Sequence, residues 1–108
     1  ADGGNAVDAA VATGFALAVS WPEAGNIGGG GFMLIRPAGA KSEPIFIDYR
    51  EKAPAAATKT LFARGIASPH HTVGVPGSVA GLYLAHKRFG KLPWKRLVAP
   101  AVKLADEG

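Results

Sequence analysis

Between Asn5 and Ser20 the sequence offers a helix without a polar side. Val7, Val11, Phe15 and Val19 recur at i, i+4, i+8 and i+12 on one stripe, and the opposite side carries Ala9, Ala12, Gly14 and Ala16 in place of charges. A surface helix keeps a polar face toward water, so a helix apolar all round is expected to be buried on every side. Its small residues let neighbouring backbone come close. A chain of 108 residues forms one small domain at most, and such a domain buries only about 60–70% of its unfolded surface. That leaves too little protein to enclose a helix, so the chain is expected to be a piece of a larger domain.

The ends of this helix are well marked. Asn5 can cap the first turn, and Asp8 three residues on supplies a carboxylate version of the capping box that also favours the positive helix end. Pro22 stops it. Two short continuous apolar runs follow the glycine run Gly28–Gly31: Phe32 to Ile35, and Ile45 to Ile47 after Pro44. With the turn-like stretch Pro37 to Ser42 between them, they read as an antiparallel hairpin covered on both faces, because period-2 alternation is missing. Asp48 to Thr72 is a long connection in which Ala53 to Thr58 can start a short helix.

A second helix opens at Gly74-Val75-Pro76-Gly77, with Pro76 suited to the first helical position. Val79, Leu82, Tyr83, His86 and Phe89 form its stripe, and Gly90 suits a left-handed cap. Trp94 to Val98 and Pro100 to Glu107 read as one broken or two short helices with Pro100 as the break, and Gly108 can cap the last turn. The expected fold class is thus α/β in the broad sense, or α+β.

Composition removes several function classes. At 48% hydrophobic and 19% charged residues the chain is not intrinsically disordered by low hydrophobicity. Without Cys there is no disulfide scaffold, iron–sulfur site, Cys-bearing zinc finger or thiol nucleophile. A net charge of +4 is too diffuse to argue for nucleic acid. The longest apolar stretch, Ala9 to Trp21, is broken by Thr13, Gly14 and Ser20. It falls short of the about 20 apolar residues that span a bilayer. No basic residue precedes Arg36, so no signal peptide lies within these residues.

The glycine run fails as a phosphate loop because Phe32 stands where Lys-Ser or Lys-Thr is needed. It fails as a dinucleotide fingerprint because Met33 replaces the third glycine and a strand follows. What remains is four positions without Cβ where backbone or ligand can approach. Asp48-Tyr49-Arg50-Glu51 lies where a buried strand meets a long loop, a usual place for a binding residue. A guanidinium there can hold a carboxylate with two parallel bonds, or it can simply pair with Asp48 or Glu51 at the sheet edge. His70, His71 and His86 lack metal-ligand spacing. Lys87, Arg88, Lys91, Lys95 and Arg96 read as a solvated basic face, with a weak anion or membrane-surface contact as the alternative. Thr13 sits inside the buried helix, and neither Ser78 nor any Thr forms a nucleophile elbow or a Ser/His/Asp set.

Several blocks together resemble one family. They are Gly3 to Ala12 (GGNAVDAAVA), Gly25 to Leu34 (GNIGGGGFML), Asp48 to Pro54 (DYREKAP), Gly74 to Leu82 (GVPGSVAGL), Tyr83 to Trp94 with its FGKLPW end, and Pro100 to Gly108. In this order and spacing they are similar to the early part of the large subunit of gamma-glutamyltranspeptidase.

The resemblance implies an N-terminal-nucleophile hydrolase with a four-layer αββα sandwich, of which residues 1–108 are one incomplete part of a single larger domain. It implies a precursor, or zymogen, that cleaves itself autocatalytically. A new N-terminal Thr on the small subunit then attacks the gamma-glutamyl amide, with its own amine as base. The glutamyl group passes to water or to an amino acid or peptide amine. The implied partners are the remainder of the large subunit, the small subunit and a small gamma-glutamyl substrate such as glutathione; no cofactor or metal is implied.

By resemblance Arg50 holds the substrate α-carboxylate, and Glu51 positions Arg50 or meets the substrate amine. No Thr here is followed by Thr-His, the family's processing motif, so no catalytic residue is assigned and the chain alone is expected to be inactive. A cephalosporin or glutaryl acylase on the same scaffold, or a non-catalytic anion-binding module, is the alternative. The family is commonly exported in bacteria, which implies the periplasm or the exterior.

Overall fold

The computed structural model describes residues 3–39, 41–63, 65 and 68–108. Helix α1 runs Ala6–Ser20, strands β1 and β2 are Phe32–Ile35 and Ile45–Asp48, and helices α2 and α3 are Ser78–Phe89 and Trp94–Glu107. A 3-10 turn at Pro69–Thr72 closes the long connection ahead of α2. The fold is mixed α+β. The strands pair antiparallel in the register Phe32↔Asp48, Met33↔Ile47, Leu34↔Phe46 and Ile35↔Ile45. α2 meets β2 directly, and α1 packs against both α2 and α3.

The N-terminus of α1 is fixed twice over. The Asn5 side-chain oxygen accepts the N–H groups of Val7 at 2.9 Å and Asp8 at 3.0 Å, and the Asp8 carboxylate accepts the Asn5 N–H at 2.9 Å. This is the capping box the sequence announces. The same two side chains also reach across the fold. Asn5 Nδ2 donates to the Phe89 carbonyl at 2.6 Å, and Asp8 accepts Lys91 N–H at 3.0 Å and Leu92 N–H at 3.4 Å. The cap of α1 thereby anchors the α2–α3 turn.

Val7, Val11, Phe15, Ile35, Ile47, Leu82, Ala85, Leu97 and Ala101 make one core cluster joining the hairpin and the helices. Trp94 packs at its edge, its ring T-shaped to Phe15 at 5.4 Å and to Tyr83 at 5.2 Å. Burying the Val, Leu, Ile and Phe side chains of this cluster contributes roughly 1.5–3 kcal/mol each.

Among the described residues α1 is covered on one side, by α2 and α3: Val7, Asp8, Val11 and Phe15 are buried, while Ala9, Ala10, Thr13 and Leu17 face outward. The hairpin is likewise covered on one face. Ile35 and Ile47 are buried, whereas Leu34 is 71% and Phe46 61% exposed. The radius of gyration is 16.8 Å in a slab of 54 × 42 × 19 Å, against about 13 Å for a compact domain of this length.

α2 starts at Ser78, not Pro76, because Gly77 N–H and Ser78 N–H both donate to the Gly29 carbonyl, at 2.9 and 3.0 Å. Its buried side is Ser78, Gly81, Leu82 and Ala85, rotated toward the small residues and away from the expected Val79 and Tyr83. Gly90 has φ −70°, so it is no left-handed cap. A Cβ there would lie 3.0 Å from the Asp8 carboxylate, so it is the missing side chain that matters. α3 is continuous through Pro100. Leu97 and Ala101, buried on either side of the proline, hold it against the core. Ala53–Thr58 forms turns instead of a helix, since it lacks the apolar burial that offsets helix nucleation.

Candidate functional site

Strand β2 ends in an Asx-type turn: Asp48 Oδ1 accepts the Arg50 N–H at 2.9 Å, which turns the chain out of the strand. Arg50 and Glu51 then project side by side. Arg50 Nε lies 3.4 Å from Glu51 Oε2, with side-chain exposures of 63% and 35%. The guanidinium carbon stands 6.0 Å from the centre of the Phe32 ring, at the outer limit of a cation–π contact. Phe32 stacks on Phe46 at 5.7 Å. Among the described residues no other carboxylate lies in ion-pair range of the two terminal nitrogens of Arg50. The guanidinium thus has Glu51 on its Nε edge and remains largely exposed.

The backbone beneath these side chains is enclosed by glycines. A Cβ on Gly30 would fall 2.6 Å from both the Glu51 nitrogen and the Tyr49 carbonyl oxygen. A Cβ on Gly77 would fall 2.7 Å from the Tyr49 carbonyl carbon. Neither glycine has a positive φ, so their use here is space for close approach. One turn further along α2, Gly81 faces the Tyr49 ring, whose burial pushes its phenol pKa above the usual value. Reciprocal bonds between Lys52 and Val75, at 3.2 and 2.8 Å, tie the outgoing chain to the segment entering α2. The glycine run and the Gly74–Gly81 segment thus converge on Tyr49, Arg50 and Glu51. A depression of about 270 Å³ lies there, lined by Asp48, Tyr49, Arg50, Val75, Gly77 and Leu84 among others.

A larger groove of about 590 Å³ lies apart from it, between α1 and β1, lined by Val7, Met33, Ile35 and Phe89 with Arg36 and Lys91 at its rim. It is mainly apolar and holds no clustered reactive groups.

The other residues singled out in the sequence lie elsewhere. His70 and His71 are exposed in the 3-10 turn. His86 Nε2 lies 2.7 Å from the Leu92 carbonyl, which can only accept, so this nitrogen carries the proton and Nδ1 is buried without a partner. Among the described residues no group of three or more His, Asp or Glu could hold a metal ion, and no helix is long and apolar enough to cross a membrane. The basic residues Lys87, Arg88, Lys91, Lys95 and Arg96 are exposed, and Arg88 lies 5.1 Å from the centre of the Phe89 ring.

The structure places Arg50 and Glu51, the two residues singled out in the sequence, side by side at the end of β2; Phe32 beside Arg50, the slot around the Tyr49 ring and the convergence of the two glycine segments were not anticipated. The signal was available in part: glycines at 74, 77 and 81 leave one end of α2 without side chains, which implies that something bulky lies against it.

The chain matches the Gamma-glutamyltranspeptidase family over residues 1–108. It is 55% identical to the glutathione hydrolase proenzyme of Pseudomonas aeruginosa, over 98% of this chain and 20% of that protein. The Escherichia coli glutathione hydrolase proenzyme is 50% identical over 99% of this chain and 20% of its own length. The chain thus spans about a fifth of these curated relatives. Among solved structures, Helicobacter pylori gamma-glutamyltranspeptidase superposes with a TM-score of 0.84 at 49% identity, covering 96% of this chain and 32% of that one. The Pseudomonas nitroreducens gamma-glutamyltranspeptidase complexed with L-DON superposes with a TM-score of 0.80 at 56% identity, covering 93% of this chain and 31% of that one. With sequence blocks, backbone and whole-length match in agreement, the chain belongs to the gamma-glutamyltranspeptidase family.

Proposed function

We propose that this chain is part of an enzyme that cleaves gamma-glutamyl amide bonds, in glutathione and related compounds, and passes the glutamyl group to water or to an amino acid or peptide amine. Its contribution is scaffold and substrate-carboxylate recognition. One observation carries this reading: the largely exposed Arg50 guanidinium has Glu51 3.4 Å from its Nε edge and the Phe32 ring centre 6.0 Å from its central carbon. A planar donor pair held in this way matches the two oxygens of a carboxylate. Glu51 acts here by orienting Arg50, and its second oxygen is available to a substrate ammonium.

The nucleophile comes from elsewhere in the protein. By family likeness an N-terminal Thr, released by self-cleavage of a precursor, supplies both nucleophile and base; no Thr in these 108 residues is followed by Thr-His. The partners in this reading are the rest of the large subunit and the small subunit. The exposed outer face of Phe32, Leu34 and Phe46 supports a further sheet layer there, which makes the hairpin and helices one half of an αββα sandwich. By family likeness the protein works in the periplasm or outside the cell.

The test is to express the full-length protein and follow both its self-cleavage on a denaturing gel and its release of a chromogenic amine from a gamma-glutamyl anilide. Two fragments and gamma-glutamyl-dependent release are expected. An uncleaved, inactive protein, or one that releases the amine only from a glutaryl anilide, contradicts the reading.

A further inference from the structure

Tyr49 carries none of the proposed chemistry, yet more glycines converge on it than on any neighbouring residue of the site. Its N–H donates to the Gly31 carbonyl at 2.9 Å and its carbonyl accepts from Gly31 N–H at 3.4 Å, which extends the hairpin by one pair beyond β2. Its ring lies between two glycines at the edge of the core. A Cβ on Gly81 would sit 2.6 Å from ring atom Cδ1, and one on Gly31 would sit 3.0 Å from Cε2. Gly77 passes over its carbonyl group.

Strand alternation gives this placement a consequence. Ile47 and Tyr49 point toward the helices, so Arg50 points to the opposite face, where Phe32 lies under its guanidinium. A ring packed between these glycines ties down the backbone from which Arg50 departs.

We propose that Tyr49 is a positioning residue for Arg50: wedged between Gly31 and Gly81, it holds the strand end so that the Arg50 guanidinium stands over Phe32 with its terminal nitrogens toward the substrate carboxylate. This inference rests on Arg50 being the carboxylate-binding residue. It adds a specificity role to a residue whose own hydroxyl has no assigned task.

The experiment is a pair of double-mutant cycles in the full-length, processed protein. Tyr49→Leu removes the ring. Gly31→Ala is milder, because the ring edge need give only by a few tenths of an ångström. Each is made in the parent and in the Arg50→Ala background, and KM and kcat are measured with a gamma-glutamyl anilide. In the parent each change is expected to raise KM about threefold or more with kcat held within about twofold. In the Arg50→Ala background the same changes are expected to move KM by less than about 1.5-fold, since a residue acting through Arg50 has nothing left to position. Tyr49→Phe, which keeps the ring, is expected to recover KM to within about twofold of the parent.

Equal KM effects in both backgrounds, or no KM effect in the parent, overturn the positioning role and leave the role of Arg50 standing. If Arg50→Ala itself leaves KM unchanged, the carboxylate reading fails and the positioning role fails with it. Should Tyr49→Leu not mature, Gly31→Ala decides the matter alone.

Discussion

The carboxylate of Asp8, in the first turn of α1, accepts the backbone N–H of Lys91 at 3.0 Å and so closes the α2–α3 turn onto the far end of the chain. Asp8 is 2% exposed. A buried charge is tolerated only when its lone pairs are satisfied, and here the N–H groups of Asn5, Lys91 and Leu92 do so.

Replacing Asp8 should therefore be costly. Asp8→Ala leaves those buried N–H groups unpaired and is expected to lower stability by roughly 3 kcal/mol. Chemical denaturation of the full-length protein checks this. A midpoint unchanged from the parent removes the clasp from the stability account.

The same carboxylate sets an acid limit. Burial alone raises its pKa, but the N–H groups of Asn5, Lys91 and Leu92 and the nearby His86 outweigh that and hold it below 3.8. A group whose folded pKa is depressed contributes stability that is complete above its unfolded pKa and is lost as pH falls through its folded value. Stability of the parent should thus fall below about pH 4. In Asp8→Asn, already weakened at neutral pH, that part of the fall should be missing. Parallel acid titrations followed by circular dichroism would show the two curves converging; a constant offset would count against Asp8 as the group responsible.

Within the glycine run, neighbouring positions should respond in opposite ways. At Gly28 a Cβ would meet only the Asn26 side chain at 3.7 Å, an ordinary contact. Gly28→Ala should be neutral or stabilise by about 0.5 kcal/mol through the unfolded state. Gly30→Ala drives a methyl group into the Tyr49 and Glu51 backbone and should cost about 3 kcal/mol or prevent maturation. Melting temperatures of the two variants settle the matter, and similar values would mean that the close approach at Gly30 does not exist.

These outcomes also mark where the sequence was informative. Asn5, Asp8 and Pro22 delimit α1 because capping is local chemistry, and the hairpin follows from two apolar runs around a turn. Arg50 stood out by its place at a strand end. What stayed hidden depends on distant segments. The start of α2 is set by the Gly29 carbonyl, the buried side of α2 by the Tyr49 ring, and the second task of Asp8 by a turn 83 residues away. α1 and the hairpin read as fully enclosed, and among the described residues each is covered on one face.

The exposed hairpin face leads to a prediction for the isolated 108-residue chain. Phe32, Leu34 and Phe46 form a contiguous exposed apolar patch, and patches of this kind promote association. The chain alone is expected to be poorly soluble or molten, with strong dye binding and no cooperative melt. A well-dispersed monomer that unfolds cooperatively would show that the slab is self-sufficient.

The most direct measurement of the central claim is KM for a gamma-glutamyl anilide in full-length Arg50→Ala and Arg50→Lys. Losing a charge-assisted bidentate contact is worth about 1.5–3 kcal/mol, so Arg50→Ala should raise KM by about tenfold or more. Arg50→Lys should recover little of it, because an ammonium cannot reproduce the fork. A KM unchanged in Arg50→Ala would take Arg50 out of the site.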